Sequence, residues 1–181
     1  MTGVQTCALP ICGGAQSLLI TDDAAFADSV AAAVDAELTT LPRAAIAGEG
    51  WRRHGAIIVV RKLSEAPALV DRLAPEHLQL AIEKPEAMAR RVRHAGAIFL
   101  GRFTPEALGD YLAGPNHVLP TSGTARFSSG LGVYDFLKRT SFIGSELAGL
   151  RRLGPAAVTL AEAEGLGAHA RSITVRLPAR R

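Results

Sequence analysis

An adjacent carboxylate and imidazole, Glu76 and His77, follow a proline in the stretch LAPEHLQL. Imidazole exchanges protons near neutral pH, and a neighbouring carboxylate can tune it or activate a water molecule. On local sequence alone, the commoner arrangement is an exposed glutamate beside a histidine that caps a helix. The pair is therefore a candidate acid and base that needs support from the rest of the chain.

A second polar stretch, GDYLAGPNHVLPT, contains Asp110 and His117. Prolines at positions 115 and 120 restrict the loop on both sides of His117, so this loop can present an imidazole in a fixed direction. Aspartate and histidine are common zinc ligands, but two ligands do not make a site. The alternative is an exposed helical aspartate and a histidine that hydrogen-bonds within its own loop.

A third polar stretch, AEGLGAH, contains Glu164 and His169, five residues apart. On one continuous helix these side chains would lie roughly 140° apart and could not converge. Gly165 and Gly167 lie between them and should end the helix, and a turn there could bring both side chains together. The alternative is a frayed helix end with solvated polar groups.

Short apolar runs alternate with single helices up to residue 112. This pattern predicts an α/β domain with a largely parallel, partly doubly wound, Rossmann-like sheet and helices on both faces. The predicted strands are 17–21, 55–63, 78–82 and 97–100, and the predicted helices are 24–38, 64–73, 85–94 and 105–112, with Asp22 and Asp23 as candidate N-caps of the first.

The alternation of strand and helix patterns ends at about residue 113. A glycine-rich stretch, 114–132, has no period and predicts a long loop, which in a compact domain is usually functional or disordered. We expect an α/β domain over 13–131 and a small C-terminal helical arm over 132–181. Within the arm the patterns predict a helical turn at 133–138, strands at 140–143 and 172–177, and helices at 145–153 and 155–163.

Composition limits the class of protein. The chain has 181 residues, a formal net charge of +3 and 5% aromatic residues. Its arginines are scattered, which argues against a nucleic-acid partner. No apolar run is long enough for a membrane span. The only cysteines, Cys7 and Cys12, fit a reducing compartment, so we expect a cytoplasmic protein. Residues 1–12 have no periodicity that continues into residue 13 and beyond, and we interpret them as a non-native leader outside the fold.

The three polar stretches, with the longer run GAIFLGRFTPEALGDYLAGPNHVLPTSGTARFSSGLGVYDFLKRTSF around the second and LAEAEGLGAHARSITVR around the third, resemble histidinol dehydrogenases. The resemblance covers roughly 13–176, in the same order and spacing. It implies a zinc-containing, NAD-dependent homodimer that oxidises L-histidinol through L-histidinaldehyde to L-histidine, in the last steps of histidine biosynthesis.

The resemblance also implies roles for individual residues. His77 matches the general base for the substrate hydroxyl, and Glu76 matches the residue that activates water at the aldehyde stage. Asp110 and His169 match ligands of the single zinc ion of each active site, and both would also contact substrate. His117 and Glu164 match substrate-binding residues. In the family the counterpart of His169 comes from the partner subunit, so we expect the C-terminal arm to contact that subunit.

Two further zinc ligands of the family, and its NAD-binding region, have no counterpart in these residues. We therefore expect a fragment of the enzyme that is inactive alone, with an incomplete zinc shell and no cofactor-binding residues. Two alternatives stay open. One is a non-catalytic α/β module that binds histidinol or zinc, and the other is a zinc-dependent dehydrogenase for another amino alcohol.

Overall fold

The computed structural model describes residues 3–7 and 14–177. Five strands and seven helices follow one another along these residues. The strands are β1 (Gly3–Cys7), β2 (Ser17–Thr21), β3 (Ala56–Val59), β4 (His77–Ala81) and β5 (Ala97–Leu100). The helices are α1 (Ala24–Leu38), α2 (Ala44–His54), α3 (Ala66–Leu73), α4 (Pro85–Ala89), α5 (Glu106–Tyr111), α6 (Leu147–Ala163) and α7 (Gly167–Thr174).

The strands form one sheet in the order β3-β2-β1-β4-β5. β2 pairs with β3, and β4 with β5, in parallel, whereas β1 is antiparallel to both of its neighbours. Four strands therefore run in one direction, and the predicted α/β class is confirmed. β1 belongs to the stretch 1–12 that we interpret as a non-native leader, and it lies in the middle of the sheet. The non-native origin of this stretch stays a prediction.

The main core lies on the sheet face that carries α3 and α4. Ile20, Leu78 and Leu80 are fully buried there against Ala66 and Val70 of α3. Alternate residues of a strand point to opposite faces, so the neighbours of these core residues point to the other side. Burying side chains of this size stabilises the fold by roughly 1.5–3 kcal/mol each.

The opposite face carries α1 and α2. Asp23 caps α1 as predicted, since its carboxylate accepts a hydrogen bond from the Phe26 amide at 3.0 Å. α2 has no counterpart in the sequence prediction, because Gly48 and Gly50 lower its helix propensity. Both glycines are buried in the structure, so tertiary packing outweighs propensity here.

Two predicted elements are shorter than expected. The strand at 55–63 ends at Val59, and the chain then turns so that the Leu63 amide donates to Asp22 Oδ2 at 3.1 Å. The helix at 85–94 ends at Ala89. Beyond α4, the Arg93 and His94 amides donate to the carboxylate of Asp71, a residue of α3, at 2.8 and 3.1 Å.

The chain divides into two compact units, Met1–Phe136 and Leu137–Arg181. In the second unit the predicted helices at 145–153 and 155–163 are one helix, α6, with Pro155 inside it. Gly154 is buried within α6 and does not end it. A Cβ at this position would lie 3.2 Å from Ile173 and 3.5 Å from Leu177. The glycine instead lets α7 and the turn after it approach α6 closely.

Neither predicted strand of the second unit forms. Residues 172–174 belong to α7 and residues 175–177 to the turn after it, and Ile173 and Leu177 both pack against Gly154. The stretch 140–143 has no regular structure, and Phe142 and Ile143 are 95% and 94% exposed. Across the described residues, no helix is both long and apolar enough to cross a bilayer.

Candidate active site

The backbone before β4 sets the position of His77. α3 ends at Ala74, a fully buried residue in the left-handed conformation, with φ of 48°. Left-handed backbone is unusual for alanine and reverses the direction of the chain, and the following Pro75 cannot continue a helix. The chain therefore enters the sheet at once, and His77 is the first residue of β4.

α5 supplies two carboxylates to the His77 imidazole. Glu106 and Asp110 are four residues apart, so they lie on the same face of the helix. Glu106 Oε1 lies 3.5 Å from His77 Nδ1, and Asp110 Oδ1 lies 3.4 Å from His77 Nε2. Each edge of the ring thus faces one carboxylate.

The cluster is withdrawn from solvent. The side chains of His77, Glu106 and Asp110 are only 7%, 9% and 9% exposed. Buried charges are costly unless they are compensated. When both carboxylates are ionised they outnumber the single imidazole, and the three side chains then carry a net negative charge whether or not His77 is protonated. The site therefore favours a cation, either a metal ion or a positively charged substrate.

Close packing between α5 and β5 brings the carboxylates to the imidazole. A Cβ at Gly109 would lie 2.2 Å from the Phe99 ring, so only glycine allows this approach. The centre of the Phe99 ring lies 5.9 Å from that of His77. Phe99 therefore separates the sheet from α5 and also forms an apolar wall beside the imidazole.

His117 lies beside the cluster in the long loop. Its Nδ1 is 3.2 Å from the backbone carbonyl oxygen of Asp110. Asn116 holds this part of the loop, because its amide donates to the Leu131 carbonyl at 2.7 Å and its oxygen accepts from the Val118 amide at 2.9 Å. The loop is thus fixed next to α5, and the exposed imidazole lies at the rim of the cluster.

Glu76 is half-buried, and its backbone carbonyl accepts a hydrogen bond from the Ala97 amide at 2.9 Å. Gly96 fits against this carbonyl, since a Cβ there would lie 2.5 Å from the Glu76 oxygen and 3.1 Å from Pro120. The backbone at Glu76 is therefore held in place by β5 and by Pro120 of the long loop. Among the described residues, the carboxylates that form ion pairs with the His77 ring are those of Glu106 and Asp110, and not that of Glu76.

Glu164 and His169 belong to the second unit. Gly165, with φ of 73°, ends α6 as predicted, and its amide donates to the Glu162 carbonyl at 3.0 Å. The Leu166 amide donates to the Ala161 carbonyl at 2.8 Å, which completes a Schellman turn. Glu164 and His169 are both exposed, one at the end of α6 and the other on α7.

The structure therefore brings His77 and Asp110 into one cluster, with His117 at its rim. The sequence analysis did not predict Glu106, and of the predicted helix 105–112 it named only Asp110 as a site residue. The spacing of two carboxylates four residues apart on a short helix was the signal that could have revealed it.

The donor set of this cluster fits a metal ion. One ligand atom from each of His77, Glu106 and Asp110 lies within 4.8 Å of the other two. Imidazole nitrogen and carboxylate oxygen are both ligands that zinc accepts.

Comparison with known proteins matches this chain to one family. The family model for histidinol dehydrogenase matches residues 13–177. The chain belongs to the histidinol dehydrogenase family. It is 65% identical over 164 residues to the histidinol dehydrogenase of Rhodospirillum rubrum and 63% identical over 163 residues to that of Gluconobacter oxydans. Each alignment covers 90% of this chain.

A solved structure agrees with this family assignment. The crystal structure of histidinol dehydrogenase from Elizabethkingia anophelis superposes with a TM-score of 0.66 and 38% identity over 88% of this chain. The match covers 36% of that crystal chain, and the chain spans 38% of the length of both curated histidinol dehydrogenases. The family and fold are therefore established for a region that is a little over a third of these relatives.

Proposed function

We propose that this chain is the part of a histidinol dehydrogenase that provides its general base and part of its zinc shell. The complete enzyme oxidises L-histidinol to L-histidinaldehyde and then to L-histidine, with NAD as the hydride acceptor. The buried cluster of His77, Glu106 and Asp110 carries this proposal. The cluster contains two residues of the expected site, His77 and Asp110. Its two buried carboxylates suit a metal ion and a cationic amino alcohol.

His77 acts as the general base in the first oxidation. It takes the proton of the carbinol hydroxyl while the hydride leaves the carbinol carbon for NAD. A base must be held in one orientation to be effective, and Glu106 at Nδ1 does this. With Asp110 serving as a zinc ligand, the Nε2 edge would face the substrate.

The second oxidation requires water, since an aldehyde must be hydrated before it can lose a hydride. We assign activation of that water to Glu76, next to His77 in sequence. His117, at the rim of the cluster, contacts the substrate, and Glu164 binds its amino group. These three roles rest on the family resemblance.

Zinc would be held by Asp110 and His169, together with ligands outside this chain. When bound, it supplies positive charge that fixes the imidazole and amine of the substrate close to the base. NAD would be bound outside the residues matched here. We place the enzyme in the cytoplasm, where NAD-linked biosynthesis of amino acids takes place.

We further propose that the enzyme is a homodimer and that the second unit delivers His169 to the active site of the partner subunit. Exposed apolar side chains support this role for the second unit. Phe142 and Ile143 lie in an irregular segment with almost their whole surface in solvent. Large apolar side chains that are adjacent in sequence and exposed to solvent are typical of surfaces that another chain covers.

A chimera tests the proposal. Residues 13–177 replace the matching segment of the Gluconobacter oxydans enzyme, and NADH formation is followed with histidinol and zinc. We expect turnover that is lost on chelation and restored by zinc. The 181-residue chain alone should show no turnover. Asp110→Asn in the chimera should lower both the bound zinc and the rate, whereas Asp135→Asn, at an exposed aspartate, should leave both unchanged.

Two results would contradict the proposal. A folded chimera that binds zinc without oxidising histidinol would favour the binding module. A chimera that turns over another amino alcohol faster than histidinol would favour a different dehydrogenase.

A further inference from the structure

The guanidinium of Arg126 joins two segments of the first unit that are distant in sequence. Its Nη2 donates to the backbone carbonyl of Arg72, in the last turn of α3, and its Nη1 donates to the carbonyl of Gly123 at 2.8 Å. Arg72 and Arg126 are 54 residues apart in the chain. One side chain therefore ties the end of α3 to the long loop that carries His117.

The end of α3 is a favourable place for a cation. The last four carbonyl groups of a helix have no partner within the helix, and they form the negative end of its dipole. At the end of α3, the carbonyl of Val70 accepts from the Ala74 amide at 2.7 Å, and the carbonyl of Arg72 accepts from Arg126. An arginine that donates to such a carbonyl makes a charge-assisted hydrogen bond. Arg126 therefore caps α3, although it belongs to another part of the chain.

The turn that contains Gly123 is shaped to hold the guanidinium. Gly123 has φ of 75°, in the left-handed region, and a Cβ there would collide with Arg126 Nη1 and lie 3.6 Å from the Leu73 carbonyl oxygen. The amide and the hydroxyl of Thr124 both donate to the Thr121 carbonyl, at 3.0 and 2.7 Å. The turn is thus closed by its own hydrogen bonds and lies directly against the end of α3.

The end of α3 leads at once to the proposed base. Ala74 has a left-handed φ of 48°, and His77 follows three residues later. The Gly96 amide holds the intervening backbone by donating to the Pro75 carbonyl at 2.9 Å. The position of His77 at the start of β4 therefore depends on where α3 ends.

The long loop carries His117 close to the same point. Only three residues lie between His117 and Thr121, where the turn that binds the guanidinium begins. One of them, Pro120, is buried, and a Cβ at Gly96 would lie 3.1 Å from its ring. The positions of His77 and His117 therefore both depend on the contact between the loop and the end of α3.

We propose that Arg126 is a positioning residue of the active site. By joining the end of α3 to the long loop, it fixes His77, the proposed general base, relative to His117, the proposed substrate contact. This inference rests on the proposed function of these two histidines. Arg126 acts through the two backbone segments that it joins, and not by contact with the substrate or with zinc.

Histidine-selective ¹⁵N labelling of the 181-residue chain tests the geometry without substrate, zinc or NAD. Arg126→Ala removes both hydrogen bonds of the guanidinium. We expect the backbone amide signals of His77 and His117 to shift, whereas that of His54, at the end of α2, stays in place. Arg61→Ala, at an exposed arginine after β3, is the matched control and should leave all three signals unchanged. An unshifted signal of His77 or of His117 in Arg126→Ala would overturn the proposal.

Kinetics of the Gluconobacter chimera test the consequence for catalysis. Arg126→Ala should lower kcat for histidinol about tenfold, because a small displacement of the base slows proton transfer. It should also raise KM, because His117 is displaced. Arg126→Lys keeps the charge without the planar fork that reaches both carbonyls, so its loss should be smaller. Arg61→Ala should retain the kcat and KM of the unmodified chimera.

A second variant breaks the same contact from the other side. Gly123→Ala places a Cβ against the guanidinium and puts alanine in a left-handed backbone, so it should reproduce the losses of Arg126→Ala. Gly132→Ala is its control in the same loop, because a Cβ there would lie 3.9 Å from Asp135, an ordinary contact distance. Guanidinium chloride, below the concentration that unfolds the chimera, should restore part of the rate of Arg126→Ala and none of that of Gly123→Ala.

The two tests separate this inference from the proposed function. An unmodified chimera that does not oxidise histidinol would contradict the proposed function, and the spectra of the 181-residue chain would then decide whether Arg126 positions the two histidines. In an active chimera, Arg126→Ala could lower the melting temperature and still keep the kcat and KM of the unmodified protein. That result would overturn the proposal, because Arg126 would then contribute to stability alone.

Discussion

The two units hold their polar residues in different ways. In Met1–Phe136, a sheet strand and a helix bring His77, Glu106 and Asp110 together, and all three side chains are nearly buried. In Leu137–Arg181, α6 and α7 pack closely at Gly154, and Glu164 and His169 are exposed. The first unit therefore holds a buried cluster of ionisable side chains, and the second leaves its two polar side chains in solvent.

This difference suggests a division of labour. A base must be held rigidly and shielded from water, which the sheet and α5 can provide within one chain. A metal ligand and a substrate carboxylate can be delivered by another element, provided that association fixes them. Variants that remove or crowd single contacts in each unit therefore test this contrast.

The largest effect should come from the core of the first unit. Leu80→Ala removes a fully buried side chain and should lower the free energy of unfolding by about 2–5 kcal/mol. Denaturant melts of the variant and the unmodified chain measure this. Leu160→Ala, at a 66% exposed leucine of α6, is the matched control and should cost far less. Similar losses for the two would remove the contrast between buried and exposed positions.

The next largest effect concerns orientation of the base. Glu106→Gln in the chimera should lower kcat about 10- to 100-fold with little change in KM, because the imidazole loses the carboxylate at Nδ1. The ¹⁵N spectrum of His77 should also show a changed tautomer population, which a merely structural role would not alter. Glu86→Gln, at an exposed glutamate, serves as the control. An unchanged kcat would mean that Glu106 does not orient the base.

The helical hairpin of the second unit should respond to a single added side chain. Gly154→Val forces branched carbons against Ile173 and Leu177, and overpacking of this kind costs about 1–3 kcal/mol. Gly149→Val, on the same helix, controls for the change in helix propensity. Thermal melts should show a larger loss for position 154. Equal losses would mean that the close approach of the helices does not matter.

The smallest effect is expected at the start of α1. Asp23→Ala removes the carboxylate that accepts from the Phe26 amide and should cost about 1 kcal/mol. Asp28→Ala, within the exposed part of the helix, should cost less. Chemical denaturation of both variants gives the comparison, and an indistinguishable pair would show that the cap contributes nothing.

The sequence predicted some elements well and others poorly, for identifiable reasons. α1 and β5 have the predicted bounds, because Asp23 caps the amphipathic repeat of α1, and the apolar run of β5, between Gly96 and Gly101, is too short for a helix. α2 was missed because burial outweighs the low propensity of its glycines. The stretch 172–177 was predicted as a strand, whereas its first residues belong to α7. Ile173 and Leu177 are four residues apart, and this spacing fits both the two-residue period of a strand and the 3.6-residue period of a helix.

The candidate site was predictable only in part. His77 and Asp110 were found from the family resemblance, and the structure adds that they share one cluster with Glu106. Contact between distant residues depends on strand order and on the approach of α5 to Phe99, which local patterns do not specify. The roles of Glu76, His117, Glu164 and His169 stay predictions.

The central claim is that His77 is the base of a histidinol dehydrogenase. The most direct measurement is the rate of NADH formation from histidinol by the chimera carrying His77→Gln or His54→Gln, with His54 as an exposed histidine of the same unit. We predict a loss of about 100-fold or more for His77→Gln and an unchanged rate for His54→Gln. A folded, zinc-loaded His77→Gln chimera that retains the rate of the unmodified chimera would contradict this claim.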